Sequence, residues 1–337
     1  MTSPSTNRQI LLVETPKGKL ATTHFKLSEG PLPTPKDGEI LIKVKLLSLD
    51  AANRAWMQGA TYRAAVEAGT IMAGASIGEV VESKAPGFAA GDLVFADTGW
   101  QEYAALPAKA GRVQKVPAME PLSYLLSVYG ISGLTAHHGL MQVGKPKPGE
   151  TVVVSAAAGA VGSIVGQIAK LKGCTVIGIA GGEDKCAWLT SELGFDRAID
   201  YKKGPVGKAL REAAPKGIDV YFDNVGGDIF EACLFGMNNH GRIACCGAVS
   251  QYDGAAAPHG PRGIPGLIVV KRLVVQGFIY SDYRNLDEPA LAELKSWVDT
   301  GKLKVREDIM TGLENTPQAL VGLLAGDNIG KRMVRVS

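Results

Sequence analysis

The residues with the clearest chemical purpose lie between Glu150 and Lys185. A β-branched run, Thr151-Val152-Val153-Val154, leads through Ser155 into Ala156-Ala157-Ala158-Gly159-Ala160-Val161-Gly162, and an apolar helical stretch continues to Leu171. Strand, small-residue turn and helix in that order make the fingerprint that cradles a dinucleotide pyrophosphate, here A-x-x-G-x-x-G with Ala156 in place of the first glycine. Small side chains let the backbone approach the anion, while the first free N–H groups of the helix and its positive dipole end hold it. The same spacing serves close packing of any helix on a strand, so the glycines alone leave a purely structural role open.

The residues up to Lys185 narrow the choice of cofactor. A second strand, Thr175–Ala180, comes at the separation a βαβ unit requires. NAD-binding versions place Asp or Glu about 20 residues after the fingerprint to hold the ribose 2′-OH. This chain has Ala180-Gly181-Gly182-Glu183-Asp184-Lys185, with no carboxylate ending the strand and an amine where a 2′-phosphate would lie. The expected cofactor is therefore NADPH. The alternative for Lys185 is a solvated residue in the first turn of the next helix.

The elements that position these residues fit a chain of 337 residues, long enough for two domains. Hydrophobic residues make up 46% and charged residues 20%, with 42 glycines, a composition for an α/β protein rich in tight turns. The net charge of +3 and the lack of a Lys/Arg block speak against a nucleic-acid surface. Apolar runs are strand- or helix-length, so no membrane span is expected. The polar start Met1–Arg8 lacks the apolar region of a signal peptide, and five cysteines at 174, 186, 233, 245 and 246 suit a reduced cytoplasmic protein. No metal-binding spacing such as C-x-x-C occurs.

Along the chain, strands are expected at Gln9–Glu14, Glu39–Leu47, Ile77–Glu82, Leu93–Ala96, Trp100–Leu106 and Gly111–Lys115, as a small antiparallel barrel. Residues 122–143 read as mostly helical, broken at Gly130-Ile131-Ser132-Gly133 and closed by the turn Lys145–Gly149. Strands near 151–155, 175–180, 197–200, 218–222, 241–246 and 273–279, with helices between most of them, predict a doubly wound sheet. Helix 288–300 leads out. A strand near Leu303–Thr311, a helix near Thr316–Ala325 and a last strand Arg332–Val336 are expected to return to the first domain.

With these stretches in order, the chain resembles the medium-chain dehydrogenase/reductase superfamily. Within it the likeness is to the zinc-independent branch of prostaglandin reductases, leukotriene hydroxydehydrogenases and bacterial curcumin-type reductases. The matching segments include Leu47-Ser48-Leu49-Asp50, Gly133-Leu134-Thr135-Ala136, Val154–Gly173, Ala198-Ile199-Asp200-Tyr201-Lys202, Tyr221–Gly227, Cys246-Gly247-Ala248, Gly277-Phe278 and Gly326–Lys331. The resemblance implies an α/β architecture: a GroES-like β-barrel catalytic domain over residues 1–128 with tail 303–337, and a doubly wound Rossmann NADPH-binding domain over 129–302. It further implies reduction of the carbon–carbon double bond of enones and enals.

The positions where zinc-dependent relatives carry a catalytic cysteine and a G-H-E motif look like Ser48–Arg54 and Ala73–Gly78, which contain neither Cys nor His. No metal is expected, and the chemistry falls to the nicotinamide and hydrogen-bond donors. By the same resemblance Gly159, Ala160, Val161 and Gly162 would line the pyrophosphate, and Lys185 and Tyr201 would contact the 2′-phosphate. Thr135, Gly182, Asn224, Gly247, Ala248, Phe278, Tyr280 and, from the tail, Asn328 complete the implied cofactor set. For Asn224 the competing reading is a plain strand-to-helix turn, and for Tyr201 an ordinary strand-end aromatic.

Hydride transfer to the β-carbon of an enone leaves an enolate oxygen that needs a donor and an α-carbon that takes a proton. Tyr252, Tyr62 and the cofactor's ribose hydroxyl are the candidates, with Tyr252 favoured for its place after the fifth strand; its alternative is a surface aromatic. Some relatives carry a tyrosine where Val270 stands. Ile131-Ser132-Gly133 and Ala51-Ala52-Asn53-Arg54 also depart from the family pattern, so the substrate does not transfer. Gly254–Pro265 reads as a lid or a solvated linker. His137-His138 and Cys245-Cys246 read as packing residues. The run Leu273–Phe278 would form an apolar sheet edge, which predicts a homodimer. A quinone oxidoreductase and a non-catalytic NADPH sensor are the competing functions.

Overall fold

The computed structural model describes residues 5–108, 113–253 and 261–337. Part of the expected Gly111–Lys115 strand and most of the Gly254–Pro265 segment lie outside them. In chain order the strands are β1 (Thr6–Leu12), β2 (Phe25–Pro31), β3 (Glu39–Ser48), β4 (Thr70–Ile71), β5 (Ser76–Ser83), β6 (Leu93–Ala96), β7 (Tyr103–Pro107), β8 (Val113–Lys115), β9 (Thr151–Ser155), β10 (Thr175–Ala180), β11 (Arg197–Asp200), β12 (Ile218–Asp223), β13 (Met237–Cys245), β14 (Val274–Gly277), β15 (Glu307–Thr311) and β16 (Lys331–Arg335). The chain divides into two compact units. One holds the residues up to Leu126 with Glu307–Asn328 and Arg332–Ser337; the other holds Ser127–Arg306 with Ile329–Lys331.

The first unit is antiparallel and built around β3. Strand β5 pairs along one edge of β3, while β7 takes Glu39–Lys43 and β16 takes Leu46–Ser48. Strand β3 alternates in sequence as if one face were wet, yet Ile40, Leu41, Ile42, Leu46 and Leu47 are all buried. Val44 and Leu47 join the cluster around Trp100, Ile40 and Ile42 that around Val94, and Leu46 that around Met333.

Three features of the chain escape the hydrophobic pattern. Strand β2 pairs with β1 over seven residues but buries only Phe25, so no alternation marks it. The helix Ala52–Gln58 is short and buries Asn53 and Arg54, polar residues that the pattern alone assigns to solvent. Residues 303–306 are not strand, because the Gln167 side chain accepts from the Lys304 N–H and donates to its carbonyl, taking up the groups a ladder would use.

The second unit carries a six-stranded sheet in the order β11-β10-β9-β12-β13-β14. All pairings in it are parallel. Strand order reverses between β9 and β12, the place where doubly wound sheets open a ligand crevice at their carboxyl ends. Strand β13 begins earlier than its sequence suggests, at Met237, and shifts register so that Arg242 onward carries the main ladder with β12.

The predicted helical stretch 122–143 breaks differently from its glycine spacing. A 3-10 turn, Leu122–Leu125, precedes a helix at Ile131–His138, which runs into a π-helical turn at Gly139–Gly144. Gly133 lies inside the helix: a Cβ there would sit 1.8 Å from the Val128 carbonyl oxygen, so its smallness serves close approach and not a break.

Candidate functional site

Strand β9 ends at Ser155, and Ala156 then adopts a left-handed backbone (φ 46°), the conformation that the first glycine of the fingerprint ordinarily supplies. The Ala156 carbonyl accepts from Gly159 N at 2.9 Å. Cβ atoms at Gly159 and Gly162 would lie 3.2 and 2.4 Å from that same oxygen, so the turn closes only with glycine at 162. The helix Gly162–Leu171 starts here and is buried along all but its last two residues. The Ser163 and Ile164 N–H groups donate to the Gly159 and Val161 carbonyls at 3.1 Å each, so what the helix start offers a pyrophosphate is chiefly the positive end of its dipole.

Beyond β10 the chain turns through Gly181 and Gly182 (φ 103°) into the helix Glu183–Ser191, of which Lys185 is the third residue. The Tyr201 ring lies against Gly181, where a Cβ would meet it at 2.8 Å, and remains partly exposed. Asp200 accepts from Gly182 N at 2.9 Å and from Lys202 N at 3.0 Å, tying this turn to the end of β11. The Gly182 N–H holds the Asp200 carboxyl below its usual range. An exposed Lys203–Glu183 ion pair at 3.1 Å flanks the same turn. A glycine pair, a lysine at the helix start and an aromatic ring, with no carboxylate ending β10, fit the phosphorylated ribose of NADPH. Asp200 was not legible as a site residue, since its role is to bind backbone rather than ligand.

The carboxyl ends of β12 and β13 carry Asn224, Gly247 and Ala248. Asn224 donates its side-chain amide to the Ser155 carbonyl at 2.8 Å, and the turn continues through Gly226 (φ 72°) and Gly227 (φ 54°). Gly247 N donates to the Asp223 carbonyl at 3.2 Å, so the two loops run together. Tyr252 accepts from Ala248 N at 3.1 Å, which holds its phenol within this loop.

Phe278 lies deep, its ring packed on Phe222 at 6.0 Å and against Gly139. Tyr280 donates to Asp287 at 2.8 Å, and the other Asp287 oxygen bonds the buried His138 at 2.9 Å. His138 and Tyr280 stack at 6.3 Å. His137, its neighbour, bonds Glu293 at 2.8 Å. The two histidines are thus packing residues that also join the helix Ile131–His138, which carries Thr135, to the helix Asp287–Asp299 through carboxylates.

The tail enters the second unit through Ile329–Lys331. Gly330 donates to the Ala158 carbonyl at 2.8 Å and bridges Gly159. Asn328, just before it, belongs to the first unit. So does Tyr62, which is mostly exposed and accepts from Trp56 Nε1 at 3.1 Å. In that unit Ser48 Oγ donates to Asp50 at 2.6 Å, and Asn53 accepts from Asp50 N. Among the described residues no cluster of three or more His, Cys, Asp or Glu side chains could hold a metal. A separate cavity of about 650 Å³, lined by Leu210, Ala214, Phe235 and Arg262 among others, includes no residue of the fingerprint turn.

Comparison with known proteins accords with this geometry. Residues 8–116 match the family model described as N-terminal domain of oxidoreductase, and residues 160–296 that described as zinc-binding dehydrogenase. The chain is 41% identical to the NADPH-dependent curcumin reductase of Escherichia coli K12, covering 98% of this chain and 97% of that protein. It is 42% identical to prostaglandin reductase 1 of Bos taurus, covering 94% and 95%. The solved structure of CurA from Vibrio vulnificus in complex with NADPH superposes with a TM-score of 0.93 at 41% identity, covering 98% and 99%. The chain belongs to the medium-chain dehydrogenase/reductase family, in its zinc-independent branch of curcumin and prostaglandin reductases.

Proposed function

We propose that the protein is an NADPH-dependent alkenal/one reductase that saturates the carbon–carbon double bond of α,β-unsaturated ketones and aldehydes. The observation that carries the reading is similarity along nearly the whole chain to reductases of such compounds, joined to a tight turn of the dinucleotide fingerprint at Ala156–Gly162. When bound, NADPH would supply the hydride that the β-carbon takes up.

The chain's own residues bind, orient and stabilise. Gly159, Ala160, Val161 and Gly162 receive the pyrophosphate, and Lys185 with Tyr201 the 2′-phosphate. Asn224, Gly247 and Ala248 line the nicotinamide side. Tyr252 is the favoured hydrogen-bond donor to the carbonyl oxygen, on which charge grows as the β-carbon is reduced; Tyr62 is the second candidate. Ala248 N fixes the Tyr252 oxygen, so the phenol is positioned before substrate arrives.

The test is NADPH oxidation, followed by nicotinamide absorbance, against a 2-alkenal, curcumin, a 15-oxo-prostaglandin-like enone and a quinone, each repeated with NADH. Turnover of the alkenal and enones with NADPH, and little with NADH, supports the reading. Turnover of the quinone alone would replace it with a quinone oxidoreductase, and NADPH binding without turnover with a sensor.

Strand β14 forms one edge of the sheet, and Val274 is half exposed there. Val269 and Val270, on the helix Gly266–Lys271 just before it, are more exposed still. A two-fold partner would cover this edge, and we place the protein in the cytoplasm as a homodimer. Sedimentation as a monomer at micromolar concentration would refute the dimer. Among the described residues no helix is long and apolar enough to cross a membrane.

A further inference from the structure

The turn after β12 is held by a buried carboxylate that no part of the proposed reaction uses. Asp223 ends β12 at 3% exposure. Its Oδ1 accepts from Tyr221 Oη at 2.5 Å, Ser155 Oγ at 3.0 Å, Val225 N at 3.0 Å and Gly226 N at 3.0 Å. Its Oδ2 lies 3.1 Å from Gly226 N. A buried carboxylate is tolerated only when such donors replace the water it has lost, and here the side chains and backbone around it supply that replacement.

Ser155, Val225 and Gly226 among these donors stand at the carboxyl ends of β9 and β12. Ser155 is the last residue of β9 before the pyrophosphate turn, and its Oγ also accepts from Asn224 N at 2.9 Å. Val225 and Gly226 form the turn that carries Asn224. The main chain extends the connection: Cys246 N and Gly247 N both donate to the Asp223 carbonyl, at 2.8 and 3.2 Å. Val249 N donates to the Asn224 carbonyl at 3.2 Å, and Ser250 Oγ to the Val225 carbonyl at 2.6 Å. Three loops that leave three adjacent strands are therefore tied at one residue, on the line where strand order reverses.

We propose that Asp223 is the positioning residue of the switch point. Through Ser155 and the Val225 and Gly226 amides it sets Asn224 and the 246–252 loop for the nicotinamide half of NADPH. Tyr221, buried beneath the carboxylate, orients it and is held in its protonated, donating form. The proposal rests on the reading of Asn224 as a cofactor residue, and the 2′-phosphate end of the nucleotide is served independently by Gly181, Lys185 and Tyr201.

The test separates the two halves of the cofactor. Dissociation constants for NADPH and for adenosine 2′,5′-bisphosphate, which carries the 2′-phosphate and the adenosine-side phosphate but no nicotinamide half, are measured by calorimetry on Asp223→Asn, Ser155→Ala and Asn224→Ala. Thermal melts run alongside as the check on folding. Hydrogen bonds to a charged group are worth enough that losing them raises the NADPH constant about tenfold. Asp223→Asn and Ser155→Ala should show that rise while bisphosphate binding stays unchanged. Equal weakening of both ligands would mean a merely structural role and would overturn the proposal, as would wild-type NADPH binding in both variants. If Asn224→Ala alone leaves NADPH binding intact, the cofactor reading of Asn224 fails and the proposal with it. If it weakens NADPH while Asp223→Asn does not, only the positioning role fails.

Discussion

Gly330 donates its backbone N–H to the Ala158 carbonyl at 2.8 Å, so a tail residue holds the turn that begins the nucleotide fingerprint. Its own conformation is left-handed (φ 75°), and a Cβ there would come within 2.1 Å of the Arg306 carbonyl oxygen. The relationship explains why the motif Gly326–Lys331 stands so far in sequence from the strand it serves.

Gly330→Ala therefore meets both a backbone and a steric penalty. Urea unfolding should show a loss of about 2 kcal/mol, since overpacking and an incompatible φ each cost on that order. NADPH binding should weaken in the same variant. Unchanged stability would mean that the tail contact is incidental.

Ala156 is the converse case. An alanine at φ 46° bears a left-handed strain of about 1–2 kcal/mol, partly offset in any glycine replacement by the extra entropy of the unfolded chain. Ala156→Gly should raise unfolding stability by about 0.5 kcal/mol and leave NADPH affinity unchanged, by denaturation and titration.

Selectivity between the two nicotinamide cofactors should follow Lys185. Lys185→Ala is expected to raise the NADPH dissociation constant about tenfold, or ~1.4 kcal/mol, with NADH binding unaffected. Equal effects on both cofactors would assign the lysine to the solvated helix surface instead.

Acid should destabilise the second unit through His137. Burial lowers the His137 pKa below 6.5, more than its bond to Glu293 raises it, so the ring is neutral at pH 7 and donates to that carboxylate. The unfolded chain then binds more protons than the fold between the lowered value and 6.5, and stability falls as pH drops through that window. Burial pushes the Glu293 carboxyl up, but His137 and Lys172 outweigh it and hold it below the usual 4.5, so its contribution is lost at still lower pH, in the same direction. Melting temperatures between about pH 5 and 7.5 should decline on the acid side, and less so in His137→Gln.

All five thiols should be sluggish. Burial raises Cys174 and Cys245 to about 11 and Cys246 to about 12, and shifts Cys186 and Cys233 upward as well. Since the thiolate is the nucleophile, alkylation by iodoacetamide at about pH 7.5 should be slow and leave NADPH oxidation intact.

The legible part of the fold is the part written in β-branched runs. Strands β9 and β10 follow directly from Thr151–Ser155 and Thr175–Ala180, because parallel strands buried on both faces concentrate Val, Ile and Ala. Strand β2 and the helix Ala52–Gln58 carry no such concentration, and residues 303–306 lost their ladder to a side chain 137 positions away in sequence, Gln167. The tight turn at Ala156–Gly162 was readable from glycine spacing, since a Cβ at Gly162 would lie 2.4 Å from the Ala156 carbonyl oxygen. Asp223, Ser155 and Asp200 were not, because a carboxylate that binds backbone leaves no spacing signature.

Which bond of the substrate is reduced decides between a double-bond reductase and its alternatives. NADPH deuterated at both C4 positions, turned over with a conjugated enone, answers this by mass spectrometry and NMR of the product. A saturated ketone with one deuterium on the β-carbon is expected. A deuterium on the carbonyl carbon of an allylic alcohol, or turnover confined to quinones, would contradict the assignment.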